Sequence, residues 1–242
     1  MARPDAEAEQ RIAAFASEVR TALGDDLVAL ALHGSAAGDD WVAGRSDLNA
    51  VLVVPRVTLD VLTRLAPVIG RFTAQGFAPP AIMDHEYLAR ARDTFPMELD
   101  DIRRQHRLLA GRDVFSDLVL DPAAVRRECE YEARAKLLRL RALFLEAAET
   151  PAALERLMLQ SAKSFLVLLR HLVRLHREDG PQAYGAVVDA GERFLGPLPT
   201  IRRLLDHRRG VMPVATDALR AMFGSYLAEV ERIVEGVDRL DA

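Results

Sequence analysis

The residues of this chain that could carry chemistry fall in one stretch, residues 32–54, LHGSAAGDDWVAGRSDLNAVLVV. A Gly34-Ser35 pair follows an apolar run, and twelve residues after Ser35 comes Asp47, then Leu48 and Asn49, which open a second apolar run. Glycine has no side chain, so the backbone at Gly34 can approach a phosphate closely, while Ser35 adds a hydroxyl donor and the following amides can face an anion. Residues i and i+2 of a strand project from one face, so Asp47 and Asn49 point together toward whatever the turn holds. Two carboxylates so placed would bridge two Mg²⁺ ions, neutralise triphosphate charge and activate an attacking hydroxyl. Position 49 is an asparagine, whose amide oxygen can ligate Mg²⁺ but carries no charge.

Two strands and a turn must hold these residues, and the surrounding pattern supplies them. DLVALALHG is a short apolar run bounded by acids and by the Gly34-Ser35 turn, and LNAVLVV is a second, ended by Pro55; both are expected as buried strands. Before them, Ile12, Phe15 and Val19 stand at helical spacing within residues 5–23, ahead of Gly24. After them, Thr58 can cap a helix that runs to about residue 75, with Leu59, Leu62 and Leu65 on one side and Gly76 as its stop. FAPPAIMD is expected as a strand whose paired prolines suit only its beginning or an edge; DHEYLARAR reads as a short helix and FPMELDDI as a further strand.

From Asp121 the period is helical throughout. Asp121 can cap and Pro122 can take the first helical position, with Ala133, Leu137, Leu140 and Phe144 on one stripe. A second stripe runs Leu154, Leu157, Ser161, Phe165, Leu168, Leu172 and Leu175 and closes at Gly180-Pro181. Shorter helices are expected at 182–195 and 198–208, and a last one carries Leu219, Met222, Tyr226, Val230 and Ile233. The reading is an α+β fold: a mixed sheet with flanking helices over 1–118, then an all-α helical bundle over 119–242, the two packing together without a low-complexity linker.

Composition bounds the function. Half of the 242 residues are hydrophobic and 28% are charged, which suits an ordered globular chain. With 32 basic against 36 acidic residues the net charge is -4, so no global attraction to a phosphate backbone exists and nucleic acid is not an expected partner. The single cysteine, Cys129, excludes an internal disulfide and a multi-cysteine zinc site. The N-terminal residues show no apolar run of signal-peptide length and no stretch suits a membrane span, so no membrane partner and a cytoplasmic location are expected.

The arrangement hydrophobic-Gly-Ser, spacer, Ser-Asp-hydrophobic-Asx-hydrophobic, here ALHGSAAGDDWVAGRSDLNAVLV, resembles the nucleotidyltransferase superfamily of DNA polymerase beta type. An α+β domain followed by a helical bundle looks especially like the bacterial aminoglycoside and minimal nucleotidyltransferases. The resemblance implies that Gly34 and Ser35 hold NTP phosphates, that Asp47 and Asn49 face the metals, Mg²⁺ or Mn²⁺, and that a third acid stands on a neighbouring strand. FPMELDDI offers Glu98 first, flanked by apolar Met97 and Leu99, and Asp100 second; Glu98 would bind metal or serve as base for the acceptor hydroxyl. Arg45 is a candidate phosphate contact, and Trp41 either stacks on a base or closes a hydrophobic lid.

Asn49 leaves two readings open. In the first the chain transfers NMP from an NTP to a hydroxyl-bearing acceptor; in the second it is a catalytically degenerate relative that binds a nucleotide or a partner, a second copy of itself included. One further motif stands in the helical half: Arg170 and His176 resemble the Arg-x(4–6)-His pair of HEPN ribonucleases. On a regular helix their six-residue separation sets the side chains roughly 120° apart.

Overall fold

A computed structural model describes residues 3–177, 179–208 and 219–240, and the chain divides into two compact units, Met1–Asp121 and Pro122–Ala242. In the first unit, α1 (Ala6–Leu23) starts where the Asp5 carboxylate accepts from the Ala8 amide at 2.8 Å and ends at Gly24. There follow β1 (Ala29–His33), β2 (Asn49–Val54), α2 (Leu59–Thr73), β3 (Ala81–Asp84), α3 (His85–Arg90), α4 (Pro96–Arg104) and β4 (His106–Gly111). The sheet order is β3-β2-β1-β4, with β1 antiparallel to β2 and β4, and β2 parallel to β3.

Helices cover both sheet faces, which is why the central strands read as unbroken apolar runs. Leu30, Leu32, Leu48, Ala50, Leu52 and Val54 pack with α1 and α2, where Phe15, Phe72 and Phe77 meet at centroid distances of 4.5 to 5.5 Å. Ala29, Ala31, Val51 and Val53 pack on the other face with Leu88, Leu99, Ile102 and Phe115. An Arg107–Glu9 pair, with contacts of 2.7 and 3.0 Å, ties β4 to α1.

Two sequence expectations are corrected here. FPMELDDI is not a strand: Pro96 opens a helix, and Asp100 pairs with Arg103 and Arg104, three and four residues on, which only a helix brings together. Over so short a run the alternation of Met97 and Leu99 cannot separate the two periods, and the basic last turn suits the helix dipole. On α2, Thr58 caps as expected, accepting from the Val61 amide, but Leu59 and Leu62 face solvent and the buried stripe is Val61, Leu65, Val68 and Phe72.

The second unit holds α5 (Pro122–Ala147), α6 (Pro151–His176), α7 (Tyr184–Leu195), α8 (Pro199–Arg208) and α9 (Leu219–Asp238), and α6 touches each of the other four. Ser161, on the apolar stripe of α6, bonds the Tyr226 hydroxyl at 2.9 Å. Glu229 is buried on α9 and accepts from the Thr200 and Ile201 amides at 2.8 Å each, satisfying the first turn of α8. Cys129 is buried, and burial pushes its thiol up to about 12, with Glu128 and Glu132 adding to the shift. Among the described residues no helix is long and apolar enough to cross a membrane.

The turn after β4 yields two predictions. Gly111 has φ +79°, and a Cβ there would lie 2.1 Å from the Val28 carbonyl oxygen, so Gly111→Ala should cost about 3 kcal/mol in urea unfolding. Asp113 accepts from the Phe115 and Ser116 amides at 2.8 and 3.2 Å and from the Ser116 hydroxyl, and lies 3.3 Å from His106 Nε2. Burial alone would raise its carboxyl, but the bonds from Ser116 and Phe115 and the His106 imidazole outweigh this and hold it at about 2. Because the folded value lies below the unfolded one, 3.8, this contribution is whole above about pH 4 and fades as pH falls toward 2. The Tm of the wild type should therefore fall more steeply over that range than that of Asp113→Asn, and parallel melting curves would refute the assignment.

Candidate functional site

β1 ends and β2 begins at the same end of the sheet, and their register sets His33 opposite Asn49; on the other side of β1, His33 stands opposite His106 of β4. Paired positions on neighbouring strands share a face. Asn49, His33 and His106 thus form a row across three strands, on the face covered by α4. Burial lowers the pKa of His33, opposed by the nearby Asp101 carboxylate of α4, so its imidazole is neutral at pH 7. His106 donates from Nδ1 to the Ile102 carbonyl at 2.8 Å.

Directly after His33 the chain turns back at Gly34, φ +67°, and winds one short 3-10 turn, Gly34–Ala37. A side chain at Gly34 would begin 3.4 Å from the Asn49 amide nitrogen, so turn and strand entrance are in close contact. Leu48 is buried between Asp47 and Asn49, which leaves these two on one side. Asp47 is exposed, while the Asn49 side chain donates to the Asp47 backbone carbonyl at 3.3 Å.

The connecting loop is held by its own bonds. The Val42 amide donates to Ser46 Oγ at 3.0 Å, Gly44 takes φ +71°, and Arg45 lies exposed on that turn. Trp41 is buried in the α1–α2 side of the core, so it packs as a lid and has no ring face open to a base. Gly38 receives the Gln105 side chain: an added Cβ would overlap Gln105 Nε2 at 1.5 Å.

Neither expected third acid stands on a strand beside Asp47. Leu48 bonds Gly76 and Ala78 at 3.0 Å and pairs in parallel with Phe77, so the segment alongside is Gly76-Phe77-Ala78-Pro79-Pro80, which has no carboxylate. Asp100 is 5% exposed and held by Arg103 at 2.6 Å and by Arg104 at 2.9 and 3.0 Å. Glu98 lies in the first turn of α4 and lines a cavity of about 300 Å³ with Ala81, Met83, Tyr87 and Phe95. Its residue is open to solvent, yet crowding at the carboxyl, and then Asp101, pushes its pKa up. Among the described residues no three His, Cys, Asp or Glu side chains are grouped to hold a metal ion.

His33, ahead of the Gly34 turn, reads from the sequence as a histidine buried beside the sheet; its row with Asn49 and His106, and the approach of Asp101, rest on strand register and on α4, which no local pattern carries. In the second unit, Arg170 is buried with its guanidinium 5.4 Å from the Tyr184 ring centre, whereas His176 is exposed and packs on Phe194. The two do not converge on one site within the chain.

Among protein families and among curated proteins, none matches the sequence. Among solved structures, the spectinomycin adenyltransferase AAD(9) from Enterococcus faecialis, determined with ATP and spectinomycin, superposes with a TM-score of 0.57 at 14% identity, covering 96% of this chain and 99% of that one. Over nearly its whole length the chain therefore has a nucleotidyltransferase-like fold, a mixed sheet with flanking helices followed by a helical bundle.

Proposed function

We propose that this protein binds a nucleoside triphosphate at the Gly34-Ser35 turn and has lost two-metal nucleotidyl transfer. One observation carries the reading: of the three carboxylate positions expected around the turn, only Asp47 is filled. Asn49 is neutral and bonded back to the Asp47 carbonyl, and the segment beside it brings two prolines and no acid. A pair of divalent cations beside a triphosphate needs carboxylates to offset its charge, and these residues do not fit such a pair.

Phosphate binding asks less. Gly34 lets the backbone come close, Ser35 supplies a hydroxyl donor and Arg45, exposed on its turn, supplies a cation. Fewer carboxylates near the turn also mean less repulsion of a triphosphate that arrives without metal. The ATP in the adenyltransferase structure agrees with a nucleotide as ligand.

Calorimetric titration of ATP, GTP, CTP and UTP, in Mg²⁺ and in EDTA, tests this. At least one nucleotide should bind in EDTA, and Gly34→Ala should weaken it on the order of tenfold, or about 1.4 kcal/mol. No binding under either condition overturns nucleotide recognition. Pyrophosphate release with Mg²⁺ or Mn²⁺ and a hydroxyl acceptor, abolished by Asp47→Ala, overturns the loss of chemistry and selects the transferase reading, with Glu98 as candidate base.

A further inference from the structure

Helix α5 carries two apolar stripes with the same spacing. Ala133, Leu137, Leu140, Phe144 and Ala147 face the bundle: Ala133, Leu140 and Ala147 are buried, and Phe144 stacks on Phe223 of α9 at 4.3 Å. Two positions back, Tyr131, Ala135, Leu138, Ala142 and Leu145 repeat the four-three-four-three spacing on the outside. Two residues are roughly 200° of helix, so the second stripe lies opposite the first. All five are exposed, Tyr131 by 71%, Leu138 by 66% and Leu145 by 78%. A lone exposed leucine means little, but apolar residues at heptad spacing over two heptads form the seam of a left-handed helix pair.

We infer that this face of α5 pairs with the α5 of a second copy of the chain, the two helices running parallel and in register about a two-fold axis. In that arrangement Tyr131, Leu138 and Leu145 meet their own counterparts at every seventh position, and Ala135 and Ala142 between them let the helices approach closely. The flanking charges select the direction. In parallel, Arg127 faces the partner's Glu132, which also pairs with Lys136 of its own helix, and Arg141, which also holds Glu231 at 2.7 Å, faces the partner's Glu146, so each attractive contact is shared with an intrachain one. The one like-charge contact, Arg134 with the partner's Arg139, is softened because Arg134 is already paired with Asp238 at 3.0 Å and Glu130 at 3.5 Å. An antiparallel pair using the whole stripe would set Arg139 against Arg139, Arg141 against Arg141 and Glu132 against Glu146.

Sedimentation velocity of the full chain from about 1 to 100 μM should show a concentration-dependent monomer–dimer equilibrium, in the micromolar range expected of a short seam. Leu138→Glu should weaken it on the order of a hundredfold with unchanged circular dichroism and with a Tm equal to that of the wild type at concentrations where the wild type is monomeric, and Leu145→Lys, farther along the same face, should do the same. Under mild oxidation Leu145→Cys should cross-link to its own counterpart, while buried Cys129 stays reduced. A monomer at every concentration, or a dimer indifferent to both substitutions, overturns the interface. Cross-linking of Leu145→Cys only to an Ala135→Cys partner overturns the parallel register.

Discussion

The polar face of the first unit depends on one pairing, His33 of β1 opposite Asn49 of β2. It is fixed from a distance: helices bury both faces of the sheet, so a slip of one residue would carry Leu30, Leu32 and Leu52 out of one apolar layer and into the other, where alanine and valine are accommodated. With the register held, the strand end, the Gly34 turn and the entrance of β2 must coincide, and His106 is drawn in by the antiparallel pairing of β4. The core sets this geometry, and the polar residues occupy it.

How much of this the sequence discloses depends on the range of the interactions involved. Thr58 ahead of α2, Asp84 ahead of α3 and the long stripe of α6 are local features, and the elements stand where spacing and capping place them. The α4 segment misleads because Met97, Glu98 and Leu99 satisfy two periods at once, and the decisive pairing of Asp100 with two arginines lies just beyond that window. On α2 apolar residues outnumber the places on one face, and only packing against the rest of the unit decides that Val61 turns in and Leu62 out. The Asn49–His33–His106 row joins residues 16 to 73 positions apart, beyond any local pattern.

The carboxylates of α4 are engaged away from the Gly34-Ser35 turn. Asp100 is spent on two neighbouring arginines, and Glu98 sits beside β3 with its charge disfavoured by crowding at the carboxyl and by Asp101. Asp101 instead stands near a neutral histidine. Asp100 supports the helix internally and Glu98 faces another cavity, which leaves Asp47 as the acid at the entrance of β2. The second unit follows the same economy, since its buried Glu229 serves the amides of α8.

The fit of Gln105 over Gly38 links two positions far apart in the chain. A side chain at 38 meets only the amide end of Gln105, which has to swing aside to admit it. The loop after the Gly-Ser turn is thus set by a movable glutamine at the end of α4, and a larger residue at 38 would be registered there, as a changed rotamer at 105, before it disturbed the backbone of the turn.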